Sequence, residues 1–197
     1  MPSLHPQIRE VLRAMAEAKL RPVEEMTPAE AREQMEATAR ARKAEPLPVA
    51  RVEERLTPGP AGEIRLRLYW PQAAAPVPAI VYYHGGGHVI GSLDTHDFVA
   101  RNLCSGVGAL VASVDYRMGP EHKFPAAVDD SWAALQWVGA NAASLGADPT
   151  RMGVHGERRR QPRSGGGTAR PGWRRPEIVA AIARLPNYRL RPGRRQL

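Results

Sequence analysis

Apolar residues along this chain follow two periods, and the period changes where prolines and glycines stand. Ile8, Val11, Leu12, Met15 and Leu20 recur near helical spacing, which predicts an amphipathic helix over residues 8–20. A second helix is predicted to start at Thr27-Pro28-Ala29-Glu30, with threonine as N-cap, proline in the first turn and glutamate placed to close a capping box. Pro46 and Pro48 end the helical region. Residues 51–56 and 64–70 then alternate apolar and polar side chains, the period of half-buried strands, with Pro58-Gly59-Pro60-Ala61-Gly62 as the turn between them.

The run Ala79-Ile80-Val81-Tyr82-Tyr83 is wholly apolar, which suits a strand covered on both faces, as in a parallel sheet. Residues 95–106 read as a helix, 109–114 as another buried strand, and 126–144 as a helix with one apolar face. Gly153-Val154 reads as the start of one more central strand, led in by the turn Ala147-Asp148-Pro149-Thr150. Strand alternating with helix predicts an α/β fold. From Arg158 neither period persists, five prolines punctuate the remainder, and only residues 178–185 could form a short helix.

Composition changes this picture in one respect. The 197 residues carry a net charge of +8, but 12 of the 28 basic residues and only two of the 20 acidic ones, Glu157 and Glu177, lie in 157–197. That segment is +10 and the rest is −2, so the basic character belongs to the tail. A hydrophobic share of 43% with 24% charged residues fits a globular protein, and no apolar run approaches the roughly 18 residues of a membrane span. The single cysteine, Cys104, excludes a disulfide within the chain and a cysteine zinc site, and reads as a small buried hydrophobe. The first ten residues do not have the form of a secretory signal, and a cytoplasmic location is expected.

The candidate chemistry sits at the end of the apolar strand. There the chain runs directly into His84-Gly85-Gly86-Gly87, which would deliver several backbone N–H groups to the carboxyl edge of the sheet with no side chains in the way. Acyl transfer needs such a loop, because a carbonyl oxygen becomes negative and each preorganised N–H donor is worth roughly 3 kcal/mol. Other uses of the glycines fit less well. Gly85, Gly87 and Gly91 miss the dinucleotide-loop spacing, and Asp115 lies beyond the usual distance of about 20 residues for a ribose-binding acid. His84 and His88 are spaced like two zinc ligands on a helix, but glycines between them oppose a helix and no third ligand follows. Neither metal nor organic cofactor is expected.

Several ordered motifs accompany the glycines: Tyr83-His84-Gly85-Gly86-Gly87, Gly91, Thr95-His96, Asp115-Tyr116-Arg117, and Pro120-Glu121-His122-Lys123-Phe124-Pro125-Ala126-Ala127. Together they resemble the hormone-sensitive-lipase-like, or GDXG, family of esterases and lipases, over about residues 8–156. The resemblance implies an α/β-hydrolase fold, of which this chain would hold the N-terminal half of the sheet, with residues 1–45 as a helical cap segment and 46–156 as a partial core. It also implies cleavage of small carboxylic esters by a Ser-His-Asp triad, with Gly86 and Gly87 as oxyanion donors, Gly85 in the same loop and His84 shaping it. By the same resemblance, Asp115 and Arg117 form a structural pair behind the sheet, and Glu121, His122 and Phe124 form a packing segment.

The chain departs from the family pattern after Gly153-Val154-His155-Gly156. Where the family continues Asp-Ser-Ala-Gly-Gly-Asn, this chain reads Glu157-Arg158-Arg159-Arg160-Gln161-Pro162, so Arg158 occupies the nucleophile position. A guanidinium stays protonated and cannot form an acyl-enzyme. Ser105 and Ser164 follow Leu103 and Pro162 at two positions' remove, so neither sits in G-x-S-x-G, and His155 is the last histidine where a base should follow the serine. The chain is therefore expected to be inactive and reads as truncated or frame-shifted after Gly156: Arg159 to Gly167 can be written as the family's own Ala-Gly-Gly-Asn-Leu-Ala-Ala-Val-Val-Ala segment read one base out of register. Residues 157–197 are expected to be an aberrant, disordered Arg/Pro/Gly-rich tail. Two alternatives stand beside the esterase reading, a non-catalytic acyl or ester binder and a nucleic-acid binder acting through the basic tail. No membrane partner is expected, and self-association is left open.

Overall fold

The computed structural model describes residues 4–18, 20–41 and 45–156. The tail from residue 157, with the short helix expected over 178–185, lies outside them. Helix α1 is Pro6–Glu17, and α2 is Pro28–Arg40 after a single 3₁₀ turn at Val23–Glu25. The capping box forms as the sequence predicts: the Thr27 side chain accepts from the Glu30 amide, and the Glu30 carboxylate accepts from the Thr27 amide at 2.8 Å. Helix α1 has the predicted period, but Ile8 and Leu12 on its apolar face remain about half exposed, at 48% and 49%.

Five strands form one mixed sheet in the order β1-β2-β4-β3-β5. Strands β1 (Arg51–Gly59) and β2 (Gly62–Trp70) make an antiparallel hairpin in which Gly59 faces Gly62, so the turn is tighter than the five residues expected. Strand β2 also pairs antiparallel with β4 (Leu110–Asp115). Strand β3 (Val77–Tyr83) lies parallel to β4 on one side and to β5 (Ala147–Gly156) on the other. The fully apolar sequence of β3 reflects this central position, because both of its faces are covered. Strand β5 was expected to be central and instead borders the described sheet. Its lead-in does turn as expected, with Asp148 Oδ1 accepting from the Thr150 amide and hydroxyl.

Side chains alternate between two buried layers, as the period of two requires. Ala79, Val81 and Tyr83 of β3, with Leu110, Ala112 and Val114 of β4, pack against Ala134, Leu135 and Val138 of helix α4 (Ala126–Asn141). On the opposite face Tyr82, Val111 and Tyr69 meet Ala100 and Cys104 of helix α3 (Asp97–Val107). The result is a helix–sheet–helix sandwich whose parallel strands all end on one edge. Cys104 is fully buried, and burial pushes its thiol up to about 11, so it packs as a small apolar residue. Among the described residues no helix is long and apolar enough to cross a membrane.

Candidate active site

The register fixes what leaves the sheet at its carboxyl edge. Tyr83, the last residue of β3, faces Val114 of β4 and Gly156 of β5, so three chain segments emerge side by side. Residues 84–91 form the loop after β3. Gly86 has φ +117° and Gly87 φ +65°, and the turn closes when the amides of Val89 and Ile90 both donate to Gly86 O at 3.1 Å. A Cβ on Gly86 would stand 1.9 Å from Ile90 O, so this tight turn requires glycine there. His88 continues the left-handed path at φ 61°, a conformation uncommon for a residue with a side chain.

Positive φ at Gly86, Gly87 and His88 in succession turns the chain sharply at the sheet edge. The amides of Gly85, Gly86 and Gly87 donate to none of the described residues, and Gly87 is exposed.

His84 lies beneath this turn and is buried. Its ring stacks between Tyr116, with centroids 4.5 Å apart, and His96, at 5.1 Å. The Tyr116 hydroxyl donates to His84 O at 2.6 Å, and His84 Nδ1 lies 2.8 Å from Gly85 O. Stacking and backbone bonds thus hold the residue from which the glycines spring. His88, four residues on, is exposed and meets Tyr116 edge-on at 5.8 Å.

Two pairings expected from the family resemblance are different in this structure. Asp115 and Arg117 do not pair with each other, because each bonds a residue on a different element. Asp115 accepts from Arg65 of β2 at 3.0 Å. Arg117 instead donates through Nε and a terminal nitrogen to the buried Asp130 of α4, whose carboxylate also accepts the Arg117 amide at 2.9 Å. Nor do Glu121, His122 and Phe124 form a packing segment: Phe124 is 75% exposed, and Glu121 is an exposed carboxylate gripped by Arg32 of α2. That guanidinium holds the Glu121 carboxyl down at about 2.

Arg32, Glu36 and Tyr116 are the residues around the loop that sequence reasoning did not single out as functional. Arg32 and Glu36 carried no signal beyond a polar helix face; Tyr116 was visible inside the Asp115-Tyr116-Arg117 motif. Arg158, expected from the family resemblance at the nucleophile position, lies outside the described residues, but β5 carries the chain to Gly156 beside Tyr83, at the same edge as the glycine loop.

A parallel-centred sheet sandwiched by helices, with a glycine turn offering free amides after a central strand, defines the α/β-hydrolase class. Residues 80–159 match the model of a family described by the α/β-hydrolase fold. Carboxylesterase NlhH of Mycobacterium tuberculosis is 56% identical over 114 residues, covering 56% of this chain and 35% of that protein. Esterase LipI of the same organism is 46% identical over 124 residues, covering 61% of this chain and 37% of LipI. A solved hyperthermophilic esterase from the archaeon Pyrobaculum calidifontis superposes with a TM-score of 0.72 at 45% identity, over 80% of this chain and 50% of that one. The chain has an α/β-hydrolase fold and is similar to these esterases, and it spans about a third to a half of the length of these relatives.

Proposed function

We propose that this chain carries the oxyanion-binding half of a carboxylic ester hydrolase for small esters, and that as written it does not turn esters over. The observation that carries the first part is the set of partner-free amides at Gly85, Gly86 and Gly87, held at the sheet edge by the stacked His84. In that role Gly86 and Gly87 stabilise the negative oxygen of a tetrahedral intermediate, and His84 shapes the loop without exchanging protons with substrate. The names of the similar proteins, a carboxylesterase and two esterases, support the same reaction class.

Inactivity follows from the residue at the nucleophile position. The chain leaves β5 at Gly156 and continues Glu157-Arg158, where attack on an ester carbonyl would need a serine. The arginine-rich run is best explained by reading frame. Taking the second and third bases of each codon from Glu157 with the first base of the next permits Ser-Ala-Gly-Gly-Asn-Leu across Glu157-Arg158-Arg159-Arg160-Gln161-Pro162-Arg163. The glutamate codon GAG followed by an arginine codon beginning with C supplies AGC, a serine.

The test is incubation of the purified chain with a chromogenic short-chain ester and, separately, with a serine-directed phosphonate. We expect no turnover and no covalent adduct, and either one would overturn the inactivity reading. A second reading, a non-catalytic acyl or ester binder, rests on the same free amides. Reversible binding of a transition-state analogue without hydrolysis would favour it.

A further inference from the structure

Two side chains of α2, one turn apart, bond the glycine loop and the residue that follows it, and the proposed chemistry uses neither. Arg32 donates from Nε to Val89 O and from a terminal nitrogen to Gly119 O, both at 2.7 Å. Its two terminal nitrogens also take both oxygens of Glu121, again at 2.7 Å. Glu36 accepts the Ser92 hydroxyl, just beyond the loop.

We propose that Arg32 is a positioning residue for the oxyanion loop, holding the Val89 and Gly119 carbonyls so that the amides of residues 85–87 converge. Its catalytic meaning rests on the ester-hydrolase reading; its grip on the loop does not. The bonds form a connected chain. Arg32 fixes Val89 O, the Val89 amide donates to Gly86 O, and the Gly119 amide donates to His88 O at 2.8 Å. One guanidinium therefore ties the turn that carries the glycines to the loop that follows β4. Only a planar fork of donors reaches two carbonyls and a carboxylate at once; a lysine ammonium, a point charge on a flexible stem, does not. Glu121 supplies the counter-charge that keeps the half-buried Arg32 side chain in place, with 29% of that side chain exposed. With Glu36 on Ser92, α2 holds the far end of the loop while β3 holds its start.

Hydrogen exchange of the full chain tests this, with the amides of Val89, Ile90 and Gly119 as reporters and those of Val81 and Ala112 in the central strands as controls. In Arg32→Lys and Arg32→Ala the reporter amides are expected to exchange about tenfold faster while the controls stay unchanged. Glu121→Gln, which keeps both carbonyl bonds, is expected to give a smaller rise. If Arg32→Ala does not fold, the lysine and Glu121→Gln variants carry the comparison. Wild-type rates at the reporters of Arg32→Lys would overturn the inference, since charge alone would then suffice. A rise shared equally by Val81 and Ala112 would also overturn it, by making Arg32 a general stabiliser.

Titration with butyrate, a carboxylate the size of a short acyl product, separates this inference from the hydrolase reading. Binding that weakens about tenfold in Arg32→Lys supports both. No binding to the wild type, with the exchange difference present, counts against the hydrolase reading and leaves the grip of Arg32 standing. Equal binding by the wild type and Arg32→Lys overturns the inference.

Discussion

At Gly86 one added carbon would collide with the Ile90 carbonyl oxygen at 1.9 Å, on a backbone already at φ +117°. Gly86→Ala is therefore expected to cost about 3 kcal/mol, read as a fall in Tm, because neither the turn nor the backbone angle can relax without breaking the Val89 and Ile90 bonds. Gly106, inside α3, is the contrasting case. A Cβ there meets nothing within 4 Å, so Gly106→Ala is expected to raise stability by about 0.5–1 kcal/mol through helix propensity. Equal effects at the two positions would remove the argument that the loop geometry demands glycine. Asp130 is a third decisive side chain. It is 2% exposed and accepts three bonds from Arg117, so Asp130→Ala is expected to cost about 3 kcal/mol in denaturant unfolding by leaving the guanidinium without its counter-charge.

Helix α2 is held by two carboxylates whose ionisation matters. Bonds from the Thr27 amide, then the Thr27 hydroxyl, then Arg21 draw Glu30 from the ordinary 4.5 down to about 2, and Arg32 does the same to Glu121. A carboxylate with a depressed folded-state value contributes fully above its unfolded value and loses that contribution as pH falls through the folded one. The NMR signals of α2 are thus expected to hold from neutral pH to about 5, to change as pH drops below 4.5, and to be lost near 2. Loss of α2 well above pH 4.5 would contradict this. Helix α4 depends instead on apolar packing. Leu135, 2% exposed, lies against the sheet, and Leu135→Ala is expected to cost about 3 kcal/mol.

Helix periods were legible from the spacing of apolar residues, and the start of α2 from its own signal, since the Thr27–Glu30 box formed as read. Partners were not legible. The apolar stripe of α1 predicts burial, yet Ile8 and Leu12 stay half exposed, since periodicity says which face is apolar and not what covers it. Arg117 is expected beside Asp115, its neighbour in the motif, but pairs with Asp130, because Arg117 lies past the end of β4 and its partner is supplied by α4, 13 residues along the chain.

For the chain as a unit, the decisive feature is the junction at Gly156. Up to that residue the sequence, the sheet and the relatives agree on one fold. The match to the family model ends at residue 159, and beyond Gly156 the residues are proposed to leave the family pattern. If the frame account holds, inserting two bases within codon 157 of the gene restores Asp-Ser-Ala-Gly-Gly-Asn as a readable continuation, and the product is expected to react with the serine-directed phosphonate while the present chain is expected not to. Translation of all three frames past codon 156 checks the premise directly. A gene in which no frame yields Ser-Ala-Gly-Gly would end the proposal.

Local chemistry dictated the elements of this protein and the tight glycine loop after β3. Alternation marks strands, a capping box marks the start of α2, and a glycine triplet after an apolar strand permits a tight turn; all of these act within a few residues of chain. The three-dimensional arrangement alone determined that Tyr83 and Gly156 leave the sheet side by side, that His84 lies stacked between Tyr116 and His96, and that Arg32 reaches 57 residues along the chain to Val89. Such contacts join residues far apart in sequence, so no local period carries their trace.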